Sequence, residues 1–183
     1  MCSLSCLEFG KRNLNISDIK DKSILEVGSY NVNGSLRDMV KELGCKSYIG
    51  IDIQPGDYVD QVCKAENILS VFGIEKFDVL ICTEAIEHIE DWQLVIHNFK
   101  QIVIPGGILL VTTRSKGFPL HGYPSDYWRY EVEDFKEIFA DCEIKCLESD
   151  PQEPGVFIKV IKPLDFKEKD LITYKLYSIN EQL

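Results

Sequence analysis

"ILEVGSYNVNG", residues 24–34, runs from an apolar strand pattern into a glycine-marked turn. "SILEVGS" (23–29) is short, apolar and closes on Gly28, as a buried strand does. "SLRDMVKEL" (35–43) follows, with Leu36, Met39, Val40 and Leu43 at helical spacing, and Gly44 stops it. A second strand, "SYIGIDI" (47–53), carries Asp52 near its end. Strand, glycine turn, helix and a second acid-tipped strand form a unit that holds a ligand beyond the strand ends.

Outward from this unit the alternation continues. "FDVLICT" (77–83) and "GGILLVTT" (106–113) read as buried strands. Between them "DWQLVIHNFKQIV" (91–103) puts Trp92, Val95, Ile96 and Phe99 on one helical face. "EVEDFKEIF" is a helix with Glu131, Glu133 and Asp134 near its positive end. "CEIKCLES" and "GVFIKVIKP" read as an antiparallel hairpin. Residues 5–20 are expected to form a leading helix. The last twenty residues are amphipathic and leave a terminal helix or a loosely held tail open. Strands alternating with helices imply an α/β fold, a doubly wound Rossmann-like sheet with helices on both faces. Its ligands bind beyond the carboxyl ends of the strands. Those ends are residues 26–34, Asp52, the Thr83–His88 turn and the segment after Thr113.

Two cofactor classes fit such a first turn. A dinucleotide fingerprint, G-x-G-x-x-G, would need glycines where Tyr30 and Asn33 stand. Glu26, two residues before Gly28, would also repel a pyrophosphate. The same carboxylate favours a cofactor bearing an ammonium and a sulfonium, which selects S-adenosylmethionine. The competing view is a solvated Glu26 at a strand end and a Gly28 that only turns the chain.

Over Ser23–Pro163 the chain resembles the class I S-adenosylmethionine-dependent methyltransferases. "ILEVGSYNVNG" looks like their first motif, "YIGID" their second, "FDVLICTEAIEHIEDW" their fourth and "IPGGILLVTT" the strand after it. The resemblance implies a seven-stranded, mostly parallel sheet with an antiparallel last strand. It implies that Glu26, Gly28 and Ser29 line the methionine part of the cofactor. Asp52 would bind the ribose hydroxyls, with Ile53 beside the adenine. Ala65 and Glu66 would flank that ring, and Thr83 would border the sulfonium. Two places depart from the family. Tyr30 and Val32 stand where further glycines are usual, so Gly34 alone closes the loop and Tyr30 is expected to cover the cofactor. Lys64 replaces an acid that reads the adenine amino group.

Acceptor recognition falls to "HGYPSDYWRY" (121–130), at the mouth of the sheet. His121 is the expected general base, because imidazole titrates near neutral pH and the segment faces the substrate side. A solvated loop histidine is the plainer reading. His88 either faces the cofactor or packs on the following helix, and His97 is expected to be structural or solvated. Tyr123 and Tyr127 offer flat faces for a small polar ring. Trp128 and Arg129 are expected to anchor the segment to the next helix. "YPSDYWRYEVEDF" also resembles a segment of small methyltransferases tied to surface-glycan and secondary-metabolite pathways, which implies a hydroxyl acceptor on a small molecule or glycan precursor. No His/Cys/Asp group has metal-ligand spacing in the sequence, so no metal is expected.

With 183 residues, 45% hydrophobic and 27% charged, the chain suits one globular domain, with a core at about 23–163, a leading helix in 1–22 and a tail at 164–183. A net charge of −10 disfavours nucleic acid and anionic membranes. Seven cysteines without a C-x-x-C pair, and no secretion signal, lead us to expect a cytoplasmic protein. The longest apolar run, "QIVIPGGILLVTT", is too short to span a membrane. The open mouth admits completion by a second subunit, as a homodimer. The rival function is a cofactor-binding regulatory or scaffold subunit that keeps the fold without the chemistry.

Overall fold

The computed structural model describes residues 3–122 and 125–179. Two helices, α1 (Leu4–Asn13) and α2 (Ile16–Ile19), lead into β1 (Ser23–Val27). Then come α3 (Arg37–Glu42), β2 (Ser47–Asp52), β3 (Gln61–Val62), α4 (Ile68–Phe72), β4 (Phe77–Thr83), α5 (Trp92–Ile102) and β5 (Val103–Arg114). The chain continues with β6 (Trp128–Arg129), α6 (Val132–Ile138), β7 (Glu143–Ser149), β8 (Gly155–Ile161) and β9 (Tyr177–Ser178). Seven strands make one sheet in the order β3-β2-β1-β4-β5-β8-β7. The pairs β3-β2, β2-β1, β1-β4 and β4-β5 are parallel. β8 runs antiparallel between β5 and β7, so the hairpin expected from the sequence is present and its second strand is the inserted one.

Successive side chains of a strand point to opposite faces, and β1 divides the core in this way. Ile24 packs with Phe9, Ile19, Leu36 and Val40 under α1–α3. Leu25 and Val27 pack with Ile68, Val95, Phe99 and Phe135 under α4–α6. All four residues read as the inner face of α5 are buried, and Asp91 caps that helix by accepting from Leu94 N at 3.2 Å. Burying each such aliphatic or aromatic side chain contributes about 1.5–3 kcal/mol.

Two expectations need correction. The leading segment is two helices, not one over 5–20. Asn15 starts a new helix by accepting from Ser17 N and Asp18 N, while Asp18 accepts from Asn15 N, a reciprocal cap that ends α1 before it. Up to residue 179, the C-terminal segment is neither a helix nor loosely held. Leu171 and Leu176 are buried, Tyr174 donates to Asp134 at 2.7 Å, and β9 pairs antiparallel with β6. No helix among the described residues is long and apolar enough to cross a membrane.

Candidate active site

The carboxyl ends of β1, β2, β4 and β5 gather the candidate residues at one edge of the sheet. Gly28 has φ +77°, and a Cβ there would come within 2.6 Å of the Ala85 Cβ. Glycine is therefore required on both grounds, positive φ and close approach. Through this contact the turn after β4 rests against the first loop. Gly28 N and Ser29 N both donate to Ile51 O, at 2.9 and 3.0 Å, which binds the loop to β2. Gly34 closes it, with its N–H on Asn31 Oδ1 and Leu7 of α1 packed over its Cα.

Asp52 is half-buried at the end of β2. Its two oxygens accept from Tyr30 N and Gln54 N, each at 3.2 Å. Each oxygen keeps acceptor capacity for a hydroxyl. The Tyr30 ring rests on Gly56 and is half-exposed beside Asp52. Ile53 is 68% exposed and offers an apolar surface next to it. Ala65 and Glu66 lie in a 3-10 turn fixed by Asn98, whose Nδ2 donates to both of their carbonyls, at 3.1 and 2.9 Å. Thr83, the last residue of β4, is buried.

Glu26 is not solvated; it is 1% exposed. Ser35 Oγ donates to its Oε1 at 3.1 Å, and the Tyr48 phenol faces it from β2. Burial first, and then the Glu26 carboxylate, push that phenol well above its ordinary range. The buried carboxylate is thus closed over by Ser35 and Tyr48 beneath the loop. Arg37 stiffens the same side. Its guanidinium donates to Tyr58 O at 2.6 Å and to Asp60 at 2.8 Å, while Asp60 also accepts from Gly50 N at 2.7 Å.

These residues fit an adenosyl cofactor with an amino-acid tail. The Ser29 Oγ is buried with no partner among the described residues, a donor and acceptor left for a ligand. The Asp52 carboxylate suits a ribose diol, and exposed Ile53 beside the tethered Ala65–Glu66 turn suits a flat base.

The acceptor side is built on Glu87, His88 and His121. Glu87 is fully buried, and its Oε2 accepts from Thr113 Oγ1 at 2.8 Å. Burial alone would raise its carboxyl. His121, His88, its own backbone and Thr113 outweigh burial and hold it below the usual range. His88 is bonded through Nδ1 to the Ser125 carbonyl. It faces the 121–130 segment. A Cβ on Gly122, with φ +66°, would come within 2.6 Å of the His88 ring. His121 has Nδ1 on Asp126 Oδ2 at 3.0 Å, and its ring meets that of His88 edge-on at 4.7 Å. It is therefore an oriented side chain and not a solvated one.

Asp126 is locked in turn by Arg129. The guanidinium donates to both Asp126 oxygens, at 2.5 and 2.9 Å, and to the carbonyls of Trp128, Pro119 and Phe118. Trp128 Nε1 donates to Ile89 O and Glu90 O. Both residues hold the segment, as expected, but onto the turn after β4 and the 118–119 backbone, not onto α6. Tyr127 N donates to Glu87 O at 2.9 Å, and its side chain is half-buried. Tyr123 lies outside the described residues. His97 pairs with Glu168 on the surface, away from this cluster.

Sequence spacing missed what the fold brings together. Glu87, His88 and His121 each place one donor atom within 4.8 Å of the others. Two of the three are adjacent in sequence, but His121 arrives from the far end of β5. β4 and β5 are neighbours with Thr83 beside Thr112, so their following loops meet.

A family model described as a methyltransferase domain matches residues 5–140. The ubiquinone biosynthesis O-methyltransferase of Bartonella tribocorum is 26% identical over 130 residues, 64% of this chain and 51% of its own. The chain thus spans about half the length of that curated relative. An S-adenosylmethionine dependent methyltransferase from Mesorhizobium loti superposes with a TM-score of 0.67 at 11% identity, over 87% of this chain and 99% of the other. The 1,6-didemethyltoxoflavin-N1-methyltransferase of Burkholderia thailandensis, solved with 1,6-didemethyltoxoflavin and S-adenosylhomocysteine bound, gives 0.68 at 13% identity, over 86% and 78%. At these identities the structural likeness concerns the fold. Glycine loop, acid-tipped β2, inserted antiparallel β8 and the match over 5–140 lead to one assignment: the chain belongs to the S-adenosylmethionine-dependent class I methyltransferase family.

Proposed function

We propose that this protein transfers the methyl group of S-adenosylmethionine to a hydroxyl of a small-molecule or glycan-precursor acceptor. The observation that carries the hydroxyl reading is the pair of oriented imidazoles beside buried Glu87, reached from the cofactor loop through Ala85. The relatives named as O-methyltransferases support it further.

When bound, the cofactor supplies an electrophilic methyl group. This chain's residues do the rest. Glu26, Gly28 and Ser29 form the loop against the amino-acid tail, Asp52 takes the ribose hydroxyls, and Tyr30 and Gly34 keep the loop closed. Ile53, Ala65 and Glu66 border the adenine, with Thr83 at the reacting end. With Nδ1–H given to Asp126, His121 keeps its lone pair on Nε2 and takes the proton of the acceptor hydroxyl as the O–H bond breaks. His88 orients it, and Tyr127 borders the acceptor. Correct placement of the reacting atoms carries most of the rate in such an in-line displacement.

Titration calorimetry tests the cofactor. S-adenosylhomocysteine should bind and NAD should give no heat. NAD binding with no response to S-adenosylhomocysteine would overturn the reading. Asp52→Ala should weaken S-adenosylhomocysteine about 10–100-fold, because it removes charged hydrogen bonds worth about 1.5–3 kcal/mol. Unchanged affinity in a folded Asp52→Ala protein removes this residue from the site. Turnover of labelled S-adenosylmethionine against sugars, sugar nucleotides and phenols identifies the acceptor. Binding without turnover on any of them points instead to a regulatory subunit.

A further inference from the structure

The hydrogen bonds around Glu87, His88 and His121 fix where their protons sit. A carbonyl oxygen only accepts, so His88 Nδ1, facing Ser125 O, carries a proton. Asp126, paired with the Arg129 guanidinium, accepts from His121 Nδ1. A neutral imidazole protonated at Nδ1 has its lone pair on Nε2. Both Nε2 atoms lie near Glu87 Oε1, His121 at 3.8 Å and His88 at 4.0 Å. That oxygen is buried and makes no hydrogen bond among the described residues. With both imidazoles in that neutral form, three electron-pair donors lie within 4.8 Å of one another. The separations are too long for hydrogen bonds and leave room for a positive centre.

We propose that Glu87, His88 and His121 form a binding site for a divalent transition-metal cation. The donor set is two imidazoles and one carboxylate, which suits zinc and its first-row neighbours more than magnesium or calcium. Tetrahedral bonds of about 2.0–2.1 Å set the donors about 3.4 Å apart, so small side-chain rotations close the present spacing. The surroundings are those a ligand shell needs. Each histidine has its other ring nitrogen on a carbonyl or a carboxylate, which fixes tautomer and orientation, and Thr113 holds the second oxygen of Glu87. His88 and His121 are 24% and 17% exposed, so the fourth position faces the opening. One further step rests on the methyl-transfer reading above. An acceptor hydroxyl occupying that position would bond to the cation through oxygen and lose its proton to water, with His121 acting as a ligand.

Cation binding is measurable without any methyl acceptor, so its failure and that of the methyl-transfer reading are separable. Metal-stripped protein is titrated with Zn2+ by calorimetry and with Co2+ by visible absorption. One equivalent of each should bind, Zn2+ at micromolar Kd or tighter. The cobalt spectrum should show nitrogen and oxygen ligation without a thiolate charge-transfer band. His121→Ala, His88→Ala and Glu87→Gln should each weaken binding at least tenfold, and Asp126→Asn about 10–100-fold through the shell around it. His97→Ala, which removes the remaining histidine, should leave it unchanged. Circular dichroism confirms folding of each variant. If one of them unfolds, the conservative Glu87→Gln and the partly exposed His121→Ala still decide. Failure of both ions to bind, binding that survives His121→Ala and Glu87→Gln, or a thiolate band would overturn the site.

Discussion

His121→Ala should slow methyl transfer by about 10²–10⁴-fold while leaving S-adenosylhomocysteine affinity within a factor of about two. The separation follows from geometry. His121 stands on the β5 side of the mouth and contacts His88, Phe118 and Asp126. It meets the cofactor loop through the contact of Ala85, three residues from His88, with Gly28. Removing the imidazole deletes the Nε2 lone pair, leaves Asp126 with Arg129, and leaves Glu87 with Thr113 and His88. A partly exposed ring in a loop carries little of the core's stability, and the melting temperature should move by only a few degrees. The prediction holds whether Nε2 takes the hydroxyl proton itself or holds a cation that acidifies the hydroxyl. The cation titration separates those two. Normal turnover by His121→Ala on the true acceptor would show that deprotonation passes through His88, Asp126 or water. A matching loss of cofactor affinity would show that the two halves of the site are not separate.

The strands of the sheet were legible because each is a short apolar run with a turn signal behind it. "SILEV", "FDVLICT" and "GILLVTT" need no tertiary information to be placed. β3 was not legible, since Gln61 and Val62 are exposed and two residues carry no periodicity. The C-terminal pairing was hidden for the same reason. β9 contributes two residues, and what holds it is a partner strand about fifty positions earlier and the Tyr174–Asp134 bond. Two buried cations carry no sequence signal either. Lys100 and Lys162 are nearly sealed from solvent, their ammonium groups held by the carbonyls of Ile138 and Val103. In sequence they look like solvated faces.

The site divides along the same line. The cofactor half is encoded locally. Gly28, Gly34 and Asp52 sit at strand ends, and strand ends can be read. The partners that change the meaning of Glu26 cannot. Ser35 lies nine residues on, and Tyr48 comes near only because Glu26 sits beside Gly50 in the β1–β2 register. The acceptor half is the least legible. Glu87 follows Ile86 in a polar turn and gives no sign that it will be fully buried. Its importance emerges only when the loops after β4 and β5 close on each other.

Arg129→Met should lower stability by about 3–5 kcal/mol, the expected cost of breaking a buried ion pair by removing one partner. For a chain of this size that corresponds to a melting temperature about 6–20 °C lower. Guanidinium has five N–H donors, and here all five find acceptors: two on Asp126 and one each on the carbonyls of Trp128, Pro119 and Phe118. Methionine replaces the volume and restores none of these bonds. It also strands the Asp126 carboxylate, fully buried, with only the His121 groups to face. Arg129→Lys should recover little, because three donors on a point charge cannot reproduce a planar fork. The sharper comparison is Asp126→Leu combined with Arg129→Met. Removing both charges leaves no ion uncompensated, so the double variant should be more stable than Arg129→Met alone. Its activity should stay low, since Asp126 also fixes the His121 tautomer. Urea melts on the three proteins decide the matter. If the double variant is no more stable than Arg129→Met, the loss comes from the three orphaned carbonyls rather than from the ion pair. If Arg129→Met melts like the parent, the guanidinium does not hold the segment at all.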